Sequence, residues 1–173
     1  GSRGLGDVYK RQKYDITPYG TESMHVLRAE KGFIIVGQDT DGSVTPKDIN
    51  MDWIVSKKKE DFLGKRSFSR SDTRRTDRKQ LVGLLVNDKK TVLPEGSYVV
   101  DEAKPRPPME MIGHVSSSYY SPTCDHPIAL ALIKNGLNRM GDVVKIPLMS
   151  GKVIDATITD SIFYDKEGVR NNE

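Results

Sequence analysis

Residues 21–33 read Thr-Glu-Ser-Met-His-Val-Leu-Arg-Ala-Glu-Lys-Gly-Phe, a pattern that predicts one helix with a defined start and a defined end. Thr21 can cap the unpaired N–H groups of a first turn. Glu22 places an anion near the positive end of the helix dipole. Gly32 suits the position just past the helix, where a left-handed backbone is needed. These signals make this helix the element around which the chain is organised.

Glu30 stands in the last turn of this helix, where the negative end of the dipole disfavours an anion. One interpretation is a surface carboxylate paired with Arg28 or Lys31, and the spacing alone favours it. The other is a carboxylate directed at a ligand with two adjacent N–H donors, because a carboxylate can accept from both.

Apolar residues near the helix predict how it packs. Met24 and Leu27 lie three residues apart and share a face, which Phe33 can cover. Residues 32–37 then form a short apolar run bounded by glycines, which predicts a buried strand.

Two further helices are predicted before the composition changes. Thr45 as N-cap and Pro46 as the first helical residue begin the second, which should run through Val55. Trp53, the only tryptophan of the chain, is expected to pack in the core of this part. A third, shorter helix is expected at about residues 65–71.

Beyond the polar run 69–79 the apolar period changes from helical to strand-like. The expected strands cover residues 81–86, 96–100, 109–120, 128–133, 143–148 and 153–163. The proline-rich residues 103–108 predict a stiff loop, and Ser150-Gly151 predicts a turn. The predicted fold class is α+β: a short helix-containing N-terminal portion followed by a small antiparallel β-barrel of about six strands.

Composition excludes several classes of protein. The chain has 173 residues, 36% of them hydrophobic, and neither an apolar run long enough for a membrane span nor a signal-peptide pattern. Its single cysteine, Cys124, excludes an intramolecular disulfide framework, so we expect a cytoplasmic protein. The three histidines and Cys124 are too widely spaced for a metal site.

Several segments resemble the folate-dependent aminomethyltransferase family, which includes the glycine cleavage T-protein. Residues 20–32 are similar to the family's Leu-Arg-x-Glu-x-Gly segment. Residues 16–22 and 27–32 are closer still to the C-terminal end of the alpha subunits of bacterial heterotetrameric sarcosine oxidases. Further matches occur in the family's order at Thr45-Pro46, Trp53, 61–65, 113–123, 129–131 and 140–142, although Ser116 stands where threonine is more usual. The resemblance covers about residues 14–168.

The resemblance implies a function and a site. It implies a folate-binding fragment of an enzyme that demethylates sarcosine oxidatively and passes the one-carbon unit to tetrahydrofolate. In this family the glutamate of the quoted segment holds the pterin ring, and the matching residue is Glu30. Arg28 belongs to the same site, as a residue that orients Glu30 or pairs within the fold. Tyr119 and Tyr120 are candidates to flank a flat ring, although packing on the barrel would also explain them.

Other parts of the chemistry are expected outside this chain. The family's catalytic acid matches no segment here, so we expect no catalytic residue and no activity in the chain alone. FAD, FMN and NAD are expected elsewhere in a hetero-oligomeric oxidase, since no dinucleotide-binding fingerprint follows a strand. Other subunits of that oxidase are the expected partners, rather than nucleic acid or a membrane. The alternatives are a fragment of a glycine-cleavage-type aminomethyltransferase and a non-catalytic subunit-docking domain.

Charge is distributed unevenly. Residues 57–79 contain ten Lys or Arg and four acids, so they carry +6 in a chain whose net charge is +3. A solvated surface and linker is one interpretation. Attraction of the anionic glutamate tail of folate is another, and nucleic-acid binding is disfavoured by the lack of interleaved aromatic residues.

The predicted domain boundaries follow from these patterns. Residues 1–13 fit nothing downstream, and we expect them to be a cloning remnant or an unrelated leader. Residues 14–75 form the C-terminal part of a folate-binding domain, 76–168 form the barrel domain, and 169–173 form a tail.

Overall fold

The helices that the structure describes are few and short. The computed structural model describes residues 10–11, 13–15, 17–104, 106 and 108–172. The α-helix in residues 17–104 is α1 (Thr21–Glu30). The 3-10 helices are Pro46–Ile49, Asp52–Ile54, Lys65–Ser69, Gly136–Arg139 and Val169–Asn172. None of the described helices is long and apolar enough to span a bilayer.

Six antiparallel strands close into a barrel, in the order β1-β4-β3-β2-β5-β6. They are β1 (Lys79–Val86), β2 (Tyr98–Val100), β3 (Met111–Ser121), β4 (His126–Lys134), β5 (Val143–Pro147) and β6 (Val153–Thr159). This confirms the predicted fold class, including the number of strands. Closure leaves no sheet edge exposed, which a small antiparallel sheet otherwise has to protect.

The apolar core has two layers. The larger lies inside the barrel and includes Leu84, Ile133 and Ile158, each at most 1% exposed. The smaller lies on the outer face of β1 and β4, at Leu81, Leu130 and Leu132. Its partly buried neighbours come from both ends of the chain: Ile34, Val44, Ile49 and Phe163. The N-terminal portion is therefore attached to the outside of the barrel.

The end of α1 follows the prediction, but its start does not. Gly20 is the N-cap, and Thr21 is the first helical residue without a side-chain capping bond, so the predicted cap is wrong. At the other end Gly32 has φ +70°. Its N–H donates to the carbonyl of Ala29 (3.0 Å), and the N–H of Phe33 donates to that of Arg28 (2.8 Å). These two bonds form a Schellman motif.

The apolar side chains of α1 do not form a buried face. Met24 is 48% exposed, Leu27 50% and Phe33 63%, so Phe33 does not cover the other two. The helix buries Ala29 and Glu30 instead. The helix contacts β3 and β4 of the barrel.

The strand predicted for residues 32–37 is wrong. Its only ladder contact among the described residues is an isolated bridge between Val36 and Thr40. The carbonyl of Ile35 accepts the N–H groups of Gln38 and Asp39, and the N–H of Ile35 donates to the Asp39 carboxylate. A local turn thus pairs the backbone groups of Ile35 that a strand would have paired.

The second predicted helix is shorter than expected. The start is as predicted, with Thr45 before Pro46, but the first helical segment ends at Asn50, whose φ is 61°. Two 3-10 helices replace one α-helix. The predicted core role of Trp53 is wrong, because its side chain is 75% exposed.

The remaining predicted features differ in outcome. The third helix is the 3-10 helix Lys65–Ser69, which begins after Gly64 at φ 93°. Most of the predicted leader, and Pro105 and Pro107 of the proline-rich loop, lie outside the described residues.

Candidate functional site

One face of β3 carries the candidate site. The pairing of β3 with β4 shifts register between Val115 and Ser117, so Ser116 is a bulge residue. After the bulge, the strand period of two places Ser117, Tyr119 and Ser121 on the same face. All three hydroxyl groups reach side chains of α1, at Arg28 or Glu30.

Glu30 is buried at this face, with 2% of the residue exposed. Its Oε1 accepts a hydrogen bond from Ser121 Oγ at 2.5 Å. The N–H of Cys124 donates to the same Ser121 oxygen (2.9 Å), which orients the hydroxyl toward Glu30. The other carboxylate oxygen, Oε2, has no hydrogen-bond partner among the described residues. A carboxylate oxygen that no protein group engages is an acceptor open to a ligand.

The surface interpretation of Glu30 is wrong. Neither of its suggested partners pairs with it: Lys31 binds Asp165 at 3.1 Å, and Arg28 binds Asp39 at 2.6 Å. Arg28 therefore pairs within the fold rather than orienting Glu30.

Arg28 and Tyr119 lie together. Nη2 of Arg28 donates to Ser117 Oγ (2.7 Å) and to the Tyr119 hydroxyl (3.3 Å). The guanidinium carbon is 5.6 Å from the centroid of the Tyr119 ring, within cation–π range. His25, one turn earlier on α1, stacks on the same ring at 6.4 Å and an interplanar angle of 11°. His25 was not predicted from the sequence, although its i,i+3 spacing from Arg28 places both on one side of the helix.

Asp39 is the second residue that sequence reasoning missed. No role was predicted for Asp39 from the sequence, yet the residue is fully buried. It accepts hydrogen bonds from Arg28, from the backbone of Ile35, and from Ser116 and Ser117. Asp39 lies eleven residues downstream of Arg28, whose buried guanidinium needs a counter-ion, and no short motif links the two positions.

A segment after β6 fixes the end of α1. The N–H groups of Phe163 and Tyr164 both donate to the backbone carbonyl of Glu30, at 2.9 and 3.0 Å. The approach is close, since a Cβ at Gly32 would lie 2.7 Å from the carbonyl oxygen of Ser161. Glu30 is thus held through both its side chain and its backbone.

Tyr120 lies apart from this cluster. It alternates to the opposite side of β3 from Tyr119, is 42% exposed, and donates to Asp125 Oδ1 at 2.5 Å. That hydrogen bond raises the pKa of the Tyr120 hydroxyl. The structure therefore brings Glu30, Arg28 and Tyr119 together, and places Tyr120 elsewhere.

The two ends of the basic segment 57–79 differ in how their cations are paired. Toward its end, Arg78 binds the buried Asp48 at 2.8 Å and Asp72 at 2.7 Å. Burial raises the pKa of Asp48, but the hydrogen bonds from Arg78 and Thr45 outweigh it and leave the pKa below its ordinary value. At the start of the segment, residues 57–59 are three exposed lysines with no ion-pair partner among the described residues. Lys59 borders a cavity of about 430 Å³ whose walls include Ile54 and Phe62.

Comparison with known proteins identifies the barrel. A family model described as the glycine cleavage T-protein C-terminal barrel domain matches residues 79–165, half of the chain. The chain belongs to the glycine cleavage T-protein family. A second model of the family, the GCVT N-terminal domain, matches residues 8–59. Residues 60–78, most of the basic segment, lie between the two matches. Of the candidate site, α1 falls in the N-terminal match and β3 in the barrel match.

Longer relatives of the T-protein family cover nearly the whole chain. Sarcosine oxidase subunit alpha of Corynebacterium sp. (strain P-1) is 53% identical over 99% of this chain. The chain spans only 18% of that relative. Aminomethyltransferase of Thermotoga petrophila is 30% identical over 88% of this chain, which spans 39% of it.

A solved T-protein structure has the same fold. Glycine cleavage system aminomethyltransferase T from Bartonella henselae superposes with a TM-score of 0.79 at 24% identity. The match covers 95% of this chain and 44% of that protein.

Proposed function

We propose that this chain forms part of a tetrahydrofolate site, with Glu30 as the acceptor for the pterin ring. The observation that carries the proposal is the buried Glu30 carboxylate, in which Ser121 engages one oxygen and no described residue engages the other. A pterin presents an exocyclic amine beside a ring N–H, which are two donors for one carboxylate. A charge-assisted pair of this kind is strong where water is excluded.

The neighbouring residues fit the same ligand. The Tyr119 ring, held by Arg28 and stacked with His25, offers an aromatic surface beside α1. Such surfaces bind flat rings through their faces or edges. Arg28 would act by fixing Tyr119, since its own donors are directed at the protein. Tyr120 lies on the opposite side of β3 and has no part in this proposal.

The basic segment supports a second contact. Lysines 57–59 are exposed and unpaired among the described residues, so they can attract the carboxylates of a folate glutamate tail. The paired cations at the end of the segment, such as Arg78, have a structural role instead.

The identity of the relatives supports a wider role. We infer that the chain is a fragment of a cytoplasmic sarcosine oxidase, an oxidoreductase whose other domains and subunits would hold FAD, FMN and NAD. Bound tetrahydrofolate would supply the acceptor for the one-carbon unit. An aminomethyltransferase of the glycine cleavage type is the alternative, since relatives with that name match most of the chain.

A binding experiment tests the folate site. We expect Glu30→Gln to weaken binding of 5-formyltetrahydrofolate by about 2–4 kcal/mol, because a ligand donor then faces an amide N–H₂ or loses its charged acceptor. NMR titration of the 173-residue chain measures this even where binding is weak. Glu22→Gln is the matched control, as Glu22 lies exposed in the first turn of the same helix.

The outcomes separate the interpretations. Loss of affinity in Glu30→Gln but not in Glu22→Gln would support the site. Equal affinities in the three proteins, or no binding by the wild type, would show that Glu30 is a structural carboxylate.

A further inference from the structure

We propose that Asp39 is a positioning residue of this site, acting through Arg28 on Tyr119. The proposal rests on the proposed folate function. Asp39 has no part in the contacts assigned to the ligand, and no role was predicted for it from the sequence.

Asp39 joins three parts of the molecule. Oδ2 accepts from Arg28 Nη1 of α1 at 2.6 Å and from the N–H of Ile35 at 2.8 Å. Oδ1 accepts from Ser116 Oγ at 2.5 Å and from Ser117 Oγ at 2.7 Å, both at the β3 bulge. Four donors thus converge on one carboxylate from α1, from the turn that follows it, and from the barrel.

The bulge makes this convergence possible. In a regular strand, neighbouring side chains point to opposite faces, so Ser116 and Ser117 could not both reach one carboxylate. The register shift at this point turns both hydroxyls toward Asp39. Bulges commonly redirect side chains near functional sites.

Arg28 transmits the position of Asp39 to Tyr119. Its side chain is 10% exposed, and its Nε is buried without a partner in the described part of the chain. Asp39 supplies the counter-charge that keeps the guanidinium in place. From there Nη2 reaches the Tyr119 hydroxyl, and the guanidinium lies beside the ring. Without the carboxylate, a buried cation would be left uncompensated and would move toward water.

A second buried pair provides a matched control. Asp48 and Arg78 are similarly buried, with side chains 4% and 13% exposed against 0% and 10% for Asp39 and Arg28. The ion pair between Arg78 and Asp48 measures 2.8 Å, and the one between Arg28 and Asp39 measures 2.6 Å. Asp48 receives its other hydrogen bonds from Thr45, and neither partner contacts Tyr119 or Glu30 among the described residues.

The test compares Asp39→Asn with Asp48→Asn in the 173-residue chain. The probe is 5-formyltetrahydrofolate, and the ring resonances of His25 and Tyr119 are followed by NMR with and without it. We expect Asp39→Asn to weaken binding about tenfold or more and to shift both rings in the free protein. We expect Asp48→Asn, like Asp39→Asn, to lower the stability of the protein. It should leave the affinity for 5-formyltetrahydrofolate within about twofold of the wild type and both rings unshifted.

Each outcome decides a separate question. If the wild type binds and the two variants bind equally, the positioning role of Asp39 is overturned while the folate site stands. If the wild type does not bind 5-formyltetrahydrofolate, the proposed folate site itself is overturned, and the positioning role with it. Should Asp39→Asn fail to fold, Ser117→Ala replaces it, because this hydroxyl bonds both Asp39 and Arg28. Unchanged affinity in that variant would also overturn the proposal.

Discussion

The barrel (residues 79–159) and the N-terminal portion (residues 17–78) bury different kinds of side chain. In the barrel, aliphatic residues fill the interior. In the N-terminal portion, the residues that are buried are Ala29, Glu30, Asp39 and Asp48. Three of these four are acids, while Trp53 and Leu63 of the same portion are exposed.

The two kinds of buried side chain have different effects, one on the stability of the fold and the other on where α1 lies. Apolar burial gives the barrel most of its free energy of folding. A buried ion pair adds little net stability, because desolvation offsets the attraction, but its geometry is specific. The carboxylates of the N-terminal portion therefore fix where α1 and its following turn lie on a barrel that is stable for other reasons.

The largest effect is expected inside the barrel. Leu84→Ala should lower the free energy of unfolding by about 2–5 kcal/mol, because it leaves a cavity in a close-packed core. Trp53→Ala removes a larger side chain from the N-terminal portion, but should cost less than about 0.5 kcal/mol because the side chain is exposed. Urea denaturation followed by far-UV circular dichroism measures both. A loss in Trp53→Ala as large as that in Leu84→Ala would contradict the contrast between the two regions.

A smaller, local effect is expected where the two regions meet. Gly32→Ala should cost about 1–3 kcal/mol, because Gly32 has positive φ and a Cβ there would approach the Ser161 carbonyl. Hydrogen exchange should show faster opening of α1 while β4 stays protected.

Gly141→Ala is the control for backbone strain alone. Gly141 has φ +92°, but a Cβ there would meet nothing within 4 Å. Its cost should therefore be the smaller of the two. If Gly141→Ala costs as much as Gly32→Ala, the close contact with Ser161 does not hold α1.

The contrast between the barrel and the N-terminal portion also explains which elements of the fold could be predicted from the sequence. The barrel strands were predictable because alternation, turn residues and apolar runs are local signals. The end of α1 was predictable from Gly32 for the same reason. Trp53 and the run 32–37 were misassigned because an apolar residue was assumed to be buried, and nothing local shows whether a partner covers it.

The site was predictable only in part. A resemblance pointed to Glu30, and dipole arguments agreed with it. The roles of Asp39 and Ser121 depend on contacts across more than 75 residues of sequence, between α1 or its turn and β3. Such pairings follow from the closure of the barrel and the register of β3, which no short motif encodes.

The smallest expected effect is a pH dependence at the junction of the two regions. His114 on β3 is half-buried, in a cleft with Asp41 of the N-terminal portion and Lys79 of the barrel. Burial, and then the charge of Lys79, lower the pKa of His114 below its ordinary 6.5, against an opposing effect of Asp41. The unfolded chain therefore binds this proton more readily, so stability is full above pH 6.5 and falls as the pH drops below it. His114→Gln should flatten the decline in Tm between pH 7 and pH 5, and Lys79→Gln should flatten it in part. An unchanged slope in His114→Gln would show that the junction does not exclude the charged imidazole, and that the two regions pack more loosely there than the structure indicates.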